Sequence, residues 1–439
     1  MLFVGHFRYS LKGKFEKMNK FLIYYFFFFL FFWAIGLDQL IFIPLLIIGF
    51  IHILNTKKVV KTGILSFYFL FIFLSLFSFF QISENFRYLT YFRNLMVYTA
   101  GFLIVYYYGT IISNRKYIRS NTEALFFAIF IFSCQLTLFG LLGAVAINIE
   151  FISLAGYIIP DLGSEYVKTW FNKSFIQSEA LWFEEGFFRS KGLMLYPNFL
   201  GGLLIATYPL KVFFMFNLFR KNKIIAFFIL SILILDLFII VNTLSRSSWA
   251  GGAISLVILV FFLNLSNNFR FGLILVVGCI ALIFAATDIQ EIVTSRVFDR
   301  THSNFSRFLN YSLIIDSLLS SPDKFLFGHG TQTDHPLLTI PLGSHSTFLG
   351  ILYKFGILGF TAFTLFSVRV FLKILEVSKK IKNHSQMTFS FAVVAYALIF
   401  FFLQMVFVEV DVDVTYTIIW ALFIGILILI DQSLNRKVV

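Results

Sequence analysis

The stretch GSHSTFLGILYKFGILGF, residues 343–360, decides the fold because a polar loop ends there and an apolar run long enough to cross a membrane begins. His345 stands at this boundary between Ser344 and Ser346. Two interpretations of this residue are open. An imidazole can act as a general base near neutral pH, and a polar residue at the start of a helix can cap it. The choice depends on the side of the membrane that His345 faces and on the polar residues it can meet there.

The rest of the chain is similarly apolar. Its 439 residues are 59% hydrophobic, with a mean hydropathy of +0.88, which is more apolar material than a soluble core of this size can bury. Cys134 and Cys279 both lie inside apolar runs, where a small buried side chain is expected and a disulfide is not. The sequence therefore predicts an all-α polytopic membrane protein that forms one integral membrane domain over residues 1–439.

Apolar windows of a length suited to about 30 Å of hydrocarbon recur along the whole chain and predict about twelve transmembrane helices. These windows lie near residues 21–36, 39–54, 64–82, 94–113, 123–146, 198–216, 224–243, 248–264, 271–287, 345–367, 387–408 and 414–430.

Basic residues alternate with these windows. One side of the predicted bundle receives 22 of the 35 lysines and arginines, including both terminal clusters, and this asymmetry predicts that side to be cytoplasmic. The net charge of +13 is then an orientation signal and a contact with anionic headgroups of the bilayer. No basic soluble domain is present, so nucleic-acid binding is not expected.

Two long loops fall on the opposite, outer face, at residues 147–197 and 288–344, and loops this long are usually functional. In the second loop, residues 304–319 (NFSRFLNYSLIIDSLL) have apolar positions at helical spacing. They predict an amphipathic helix that lies on the bundle and ends before Pro322.

Arginines collect at this outer face. Arginine is suited to gripping phosphate because its planar fork donates two hydrogen bonds and stays charged at any physiological pH. The alternatives are that Arg246, in the tight turn NTLSRSSW, anchors a hairpin by snorkelling and that the loop arginines are solvated. The candidate phosphate ligands are Arg189, Arg246, Arg296, Arg300 and Arg307.

No metal or cofactor is predicted, because the chain lacks HExxH, CxxC, P-loop, GxGxxG and GxSxG patterns. Glu409, Asp411 and Asp413 are the nearest approach to a cation site, and residues spaced by two in a turn are as well explained as a solvated acidic cap.

Two charges fall inside predicted spans, Asp236 and Lys354, at similar depth below the outer face. An isolated charge there costs about 2.5–3.5 kcal/mol. We therefore expect these two to form an ion pair that joins span seven to span ten. Lys211, near the inner end of span six, is expected to snorkel.

Together, GSHSTFLGILYKFGILGF, the upstream FGHG turn, NTLSRSSWAG and RSKGLMLYPNFLG resemble the bacterial O-antigen ligase/polymerase superfamily over roughly residues 185–365. The resemblance implies a glycosyltransferase without metal or nucleotide sugar, acting at the outer face of the bacterial inner membrane on a glycan carried by undecaprenyl diphosphate. It implies that Arg246 contacts the donor diphosphate, that Arg189 and Arg307 support the phosphates, and that His345 takes the acceptor proton. One departure is Ser346, where Asn is expected in many relatives.

Two activities of that superfamily are open. A polymerase of O-antigen or capsule joins one lipid-linked repeat-unit chain to another, sometimes with a chain-length regulator protein, whereas a ligase moves the glycan onto lipid A core. The segment SHSTFLGILYKFG resembles the polymerases more closely than the ligases. A transporter or flippase is the third alternative, although transporters place polar sites at the midplane, and the polar residues here collect at one face.

Overall fold

A computed structural model describes most of the chain and is mostly helical. The described residues are 17–56, 62–82, 87–110, 115–158, 171–178, 188–219, 221–262, 301–338, 341–381 and 385–435. The helices of the first half are α1 (Lys17–Phe27), α2 (Phe29–Ile35), α3 (Phe42–Thr56), α4 (Gly63–Ser75), α5 (Arg87–Thr110), α6 (Arg115–Ala144), α7 (Leu154–Ile158) and α8 (Pro197–Phe219). The second half contains α9 (Lys223–Asn242), α10 (Arg246–Phe262), α11 (Thr301–Leu319), α12 (Pro322–Phe327), α13 (Thr347–Ile381), α14 (Ser385–Gln404) and α15 (Val414–Asn435).

Seven helices of the described residues are long and apolar enough to cross a membrane, or eight if the bent pair α1 and α2 counts as one span. This confirms a polytopic membrane protein. The first predicted span is broken, because α1 and α2 meet at 77°. Helices α3 and α10 are apolar but shorter, and the window at residues 271–287 lies outside the described residues. The count of twelve therefore stays a prediction.

Side-chain caps fix where several helices begin. The side chains of Thr62, Asn222 and Ser321 each accept a hydrogen bond from a backbone N–H three residues on, at the starts of α4, α9 and α12. Pro322 is accordingly the first residue of α12, where a missing N–H costs nothing.

Helix α15 forms the centre of the bundle, since 94% of its apolar window is buried. The ring centroids of Trp420 and Phe366 lie 5.6 Å apart in an edge-on arrangement, and those of Phe366 and Tyr68 lie 4.5 Å apart. These aromatic contacts join α15 to α13 and α4.

Short strands give structure to the described parts of the first of the two loops that the sequence predicts at the outer face. β1 (Phe151–Ile152) pairs antiparallel with β2 (Asn172–Lys173), and β3 (Ile176–Ser178) pairs antiparallel with β4 (Phe188–Ser190). The second pair places Arg189 opposite Gln177.

The amphipathic helix predicted at residues 304–319 is confirmed as α11 (Thr301–Leu319). Its apolar side chains divide between two faces. Ile314 and Leu318 are buried against the protein, whereas Phe305 and Phe308 are 67% and 73% exposed. Helix α11 therefore packs on the bundle with one face and leaves two phenylalanines free for contact with lipid.

Helix α13 is broken at Gly356, which has a φ of +65°. The FGHG turn docks into this break: the backbone N–H of His329 donates to Tyr353 O and that of Gly330 to Lys354 O, both at 2.8 Å. A Cβ at Gly356 would clash with Leu326 O, so only glycine allows the approach. The first part of α13 and the FGHG turn thus form one packed unit.

Candidate active site

Arg246 is the first residue of α10, directly after a turn whose serines have structural roles. Ser245 Oγ accepts from the backbone N–H of Ser248 at 3.4 Å and lies 2.7 Å from Ser248 Oγ. Trp249 Nε1 donates to Ile240 O at 3.1 Å and ties α10 back to α9. The turn therefore holds Arg246 in a fixed position at the end of the bundle.

Arg189, on strand β4, is anchored to the same turn. Its Nε donates to Thr243 O at 2.7 Å, and its Nη2 donates to Asn198 Oδ1 at 2.8 Å. Thr243 is the C-cap of α9 and Asn198 lies in the first turn of α8. The charges of Arg189 and Arg246 are close enough to act on each other.

Arg307, on α11, brings a third guanidinium to this place. Burial and the positive charges of Arg246 and Arg189 lower its pKa, against the opposing effect of Tyr311. Its Nε is buried and bonds to no other described residue. Three like charges that act on one another, together with a buried unsatisfied donor, are an arrangement that favours an anion.

His345 lies beside Arg307. Burial and the charge of Arg307 lower the pKa of His345 to about 4, so its imidazole is neutral at pH 7. Its φ of +68° is in the left-handed region, which costs a residue with a side chain about 1–3 kcal/mol. Within the described part of the chain no residue hydrogen-bonds to its ring. The ring nitrogens are therefore available to a substrate.

The alternative that His345 caps the helix is wrong. Ser346 Oγ accepts from the backbone N–H of Leu349 at 3.3 Å and is the cap of α13. The next residue, Thr347, donates through its backbone N–H to Met405 O at 2.8 Å and through Oγ1 to Val408 O at 2.6 Å. Asparagine caps helices as well as serine does, so the departure at Ser346 preserves this role.

Asn310 is a site residue that sequence reasoning missed. It is fully buried on α11, one turn after Arg307, and its Nδ2 donates to Pro341 O at 3.2 Å and to Ser344 Oγ at 3.1 Å. The backbone N–H of Gly343 donates to its Oδ1 at 3.4 Å. Asn310 thus holds the loop of His345 against the helix of Arg307. The available signal was a polar residue at i+3 from a candidate arginine in an amphipathic helix.

The expected ion pair between Asp236 and Lys354 is wrong, because each residue has another partner. Lys354 Nζ donates to Glu409 Oε1 at 2.7 Å and to Asp411 Oδ2 at 2.5 Å, all nearly fully buried. Gln332 Nε2 donates to Glu409 Oε2 at 2.6 Å. The turn between α14 and α15 folds inward to reach Lys354, beneath the His345 loop.

Asp236 instead binds Lys211, whose Nζ lies 2.6 Å from Asp236 Oδ2. Both side chains are completely buried, and Thr137 Oγ1 donates to Asp236 Oδ1 at 2.5 Å. Lys211 therefore does not snorkel. Depth along a helix shows that a charge needs a partner, but it does not show which neighbouring helix supplies one.

The described residues contain no group of three or more His, Cys, Asp or Glu side chains arranged to hold a metal ion. Glu409 and Asp411 bind Lys354, and Asp413 accepts from the backbone N–H of Tyr416 at 3.1 Å. Arg296 and Arg300 lie outside the described residues, and their contact with phosphate stays a prediction.

Comparison with known proteins finds a family match for residues 231–364. No curated protein matches the chain. Residues 231–364 match the Wzy_C family model, described as O-antigen ligase, and this match includes Arg246, Arg307 and His345. Members of that family are membrane enzymes that transfer lipid-linked glycans. The chain is thus a multi-pass membrane protein with an O-antigen ligase family domain over residues 231–364.

Proposed function

We propose that this protein is a polysaccharide polymerase of the bacterial inner membrane. It transfers a glycan from undecaprenyl diphosphate to the acceptor sugar of another lipid-linked repeat unit, at the outer face. The observation that carries the proposal is the convergence of Arg189, Arg246 and Arg307 beside a neutral, unbonded His345.

The arginines suit the donor. A diphosphate becomes more negative as it leaves the sugar, and fixed cations at that point stabilise the transition state more than the ground state. Arg307 has a buried Nε without a bond to another described residue, and Arg189 is held rigidly by two hydrogen bonds. Rigid donors need little reorganisation when the charge develops.

His345 suits the acceptor. The acceptor hydroxyl oxygen forms a bond to the anomeric carbon of the donor sugar, and the bond from that carbon to the diphosphate oxygen breaks. The hydroxyl proton moves to the free nitrogen of the His345 imidazole and later to solvent. The diphosphate retains the electron pair of the broken bond against the arginines.

Binding of the donor should make His345 a stronger base. In the empty site, Arg307 and burial keep the pKa of His345 at about 4, which makes it a weak base. A bound diphosphate neutralises Arg307 and adds negative charge nearby, which raises the pKa of His345. The imidazole becomes effective when the donor is in place.

The ligase activity is the second candidate, and the description of the matched family favours it. Both reactions use the same donor chemistry and differ in the acceptor. The arginines and His345 serve either one.

Glycan profiles of a deletion strain separate the two. Single repeat units left on the core support a polymerase, whereas bare core with accumulated lipid-linked polymer supports a ligase. Complementation with His345→Ala should fail at normal protein level. His335→Ala is the matched control, since the Nδ1 of His335 accepts only from the nearby Leu337 N–H in the part of the loop that the structure describes. Full activity of His345→Ala would remove His345 from the mechanism.

A further inference from the structure

A polar cleft lies between the first outer loop and the turn after α2. The cleft has room for about one water molecule or one functional group of a larger ligand, and its polar lining comes from Asp38, Gln39, Asn172, Lys173, Ser174 and Lys191. We call it the Lys191 cleft. Its size excludes a whole sugar ring but admits a substituent of one.

Lys173 and Asp38 form an ion pair in the lining of the cleft. Lys173 Nζ donates to both carboxylate oxygens of Asp38, at 2.7 and 3.0 Å, and lies 5.5 Å from the ring centre of Trp33. Both side chains are only 4% exposed. This ion pair neutralises the carboxylate of Asp38, and Lys191 brings a further cation to the lining of the cleft.

Lys191 is a cation without a described partner. No residue in the described ranges forms an ion pair or hydrogen bond with its ammonium group. Burial and the charge of Lys173 lower the pKa of Lys191 to about 8, and the exposed carboxylate of Glu150 opposes this weakly. Lys191 is still mostly protonated at pH 7, so the cleft attracts an anion.

The cleft is close to the arginines. Lys191 follows Arg189 by two residues, which limits the distance between their Cα atoms to about 7 Å. The backbone N–H groups of Lys191 and Gly192 both donate to Phe175 O, at 3.0 and 3.1 Å, so this segment is fixed. A sugar joined to a diphosphate held by Arg189 can therefore reach the cleft.

We propose that the Lys191 cleft binds the carboxylate of an acidic sugar residue in the transferred glycan. Lys191 pairs with the carboxylate, and the cleft, which has room for one functional group, admits this substituent while the sugar ring stays outside. A lipid phosphodiester is the competing anion. This inference rests on the proposed function and names the substrate class of that site.

Trace acetylation of the purified full-length protein at pH 8 tests the proposal, because a lysine of low pKa reacts readily and a paired one does not. The probes are a glucuronate-containing disaccharide, its neutral analogue and phosphatidylglycerol vesicles. Mass spectrometry should show about tenfold slower acetylation of Lys191 with the acidic disaccharide alone. The exposed Lys223 and Lys379 are internal controls and should not change.

Three results would overturn the proposal: no protection, equal protection by the neutral disaccharide, or protection by the vesicles alone. The wild-type protein suffices for this measurement, so misfolding of a variant cannot confuse it. His345→Ala should retain the protection while it loses transfer. If instead wild-type transfer is demonstrated without protection of Lys191, the cleft assignment fails and the proposed function stands.

Discussion

His345 and Arg307 show at the scale of single residues what sequence could and could not provide. The sequence marked both as candidates because their chemistry suits phosphate and proton transfer. It left open whether His345 was a cap, since a cap depends on backbone geometry that the bond from Leu349 N–H to Ser346 Oγ decides. Asn310 escaped notice because its role is to bond backbone groups of a distant loop.

The pH dependence of transfer should reflect the charge beside His345. With the pKa of His345 lowered to about 4, the acid limb of kcat/KM should lie near pH 4 rather than 6.5. The acid limb of kcat should lie at higher pH than that of kcat/KM, because a bound diphosphate raises the pKa of His345. In Arg307→Gln, loss of the neighbouring cation should raise the pKa of His345 and move the kcat/KM limb upward.

Initial rates of transfer in proteoliposomes, measured over a range of pH, give the position of each acid limb. Samples returned from low pH to pH 7 should recover their activity, which excludes acid denaturation as the cause of the limb. Arg369→Gln is the control, because Arg369 lies in the C-terminal part of α13 and pairs at 3.7 Å with the exposed Glu376. A limb near 6.5 in the wild type, or one that Arg307→Gln leaves in place, would contradict the account.

The break in α13 is the decisive feature at the scale of elements. An apolar run from Thr347 predicts a helix, and the structure confirms one. The left-handed Gly356 inside it could not be predicted, because glycine is also tolerated in continuous helices and the break accommodates a turn that is distant in sequence. By contrast, α11 was predictable since its apolar spacing is local.

Gly356→Ala should destabilise the protein strongly. The new Cβ would clash with Leu326 O and would lie 2.5 Å from Phe327 N, at a φ that alanine rarely adopts. We expect a loss of more than about 3 kcal/mol, since strain and overpacking add. Thermal unfolding in detergent measures it.

Gly251→Ala, within α10, is the matched control. Its Cβ would lie 3.3 Å from the nearest described atom, a ring carbon of Phe400 that can move slightly. This variant should keep nearly normal stability. Equal stability of the two variants would show that the FGHG turn does not require the break.

Two buried charge clusters connect distant parts of the whole molecule. Lys211 joins α8 to α9 through Asp236, and Lys354 joins α13 to the turn before α15 through Glu409 and Asp411. The sequence correctly indicated that charges inside spans need partners. It could not name them, because the partner depends on which helices pack side by side.

Lys211→Met should leave Asp236 buried without its cation and destabilise the protein by about 3–5 kcal/mol. The double variant Lys211→Met, Asp236→Asn should recover most of this loss, because the remaining amide can still bond with Thr137. Melting temperature and yield of monodisperse protein provide the measurement. A double variant no better than the single one would mean that packing, not charge, accounts for the loss.

Membrane orientation can be tested at two exposed positions at opposite ends of the predicted arrangement. Ser320→Cys, after α11, should react with a membrane-impermeant maleimide added to spheroplasts, whereas Lys379→Cys, near the end of α13, should react only after lysis. The unsubstituted protein gives the background from Cys134 and Cys279. The reverse pattern would place the arginines in the cytoplasm and contradict the proposed site.

The converging arginines also have a consequence for the end of the catalytic cycle. In the proposed reaction, the cations that stabilise the departing diphosphate should also hold the spent carrier afterwards, because that product bears more negative charge than the intact donor. Departure of the spent carrier should therefore be slower than bond formation. Rapid mixing with radiolabelled donor should reveal a burst of one joined glycan per protein, and Arg189→Gln should shrink that burst.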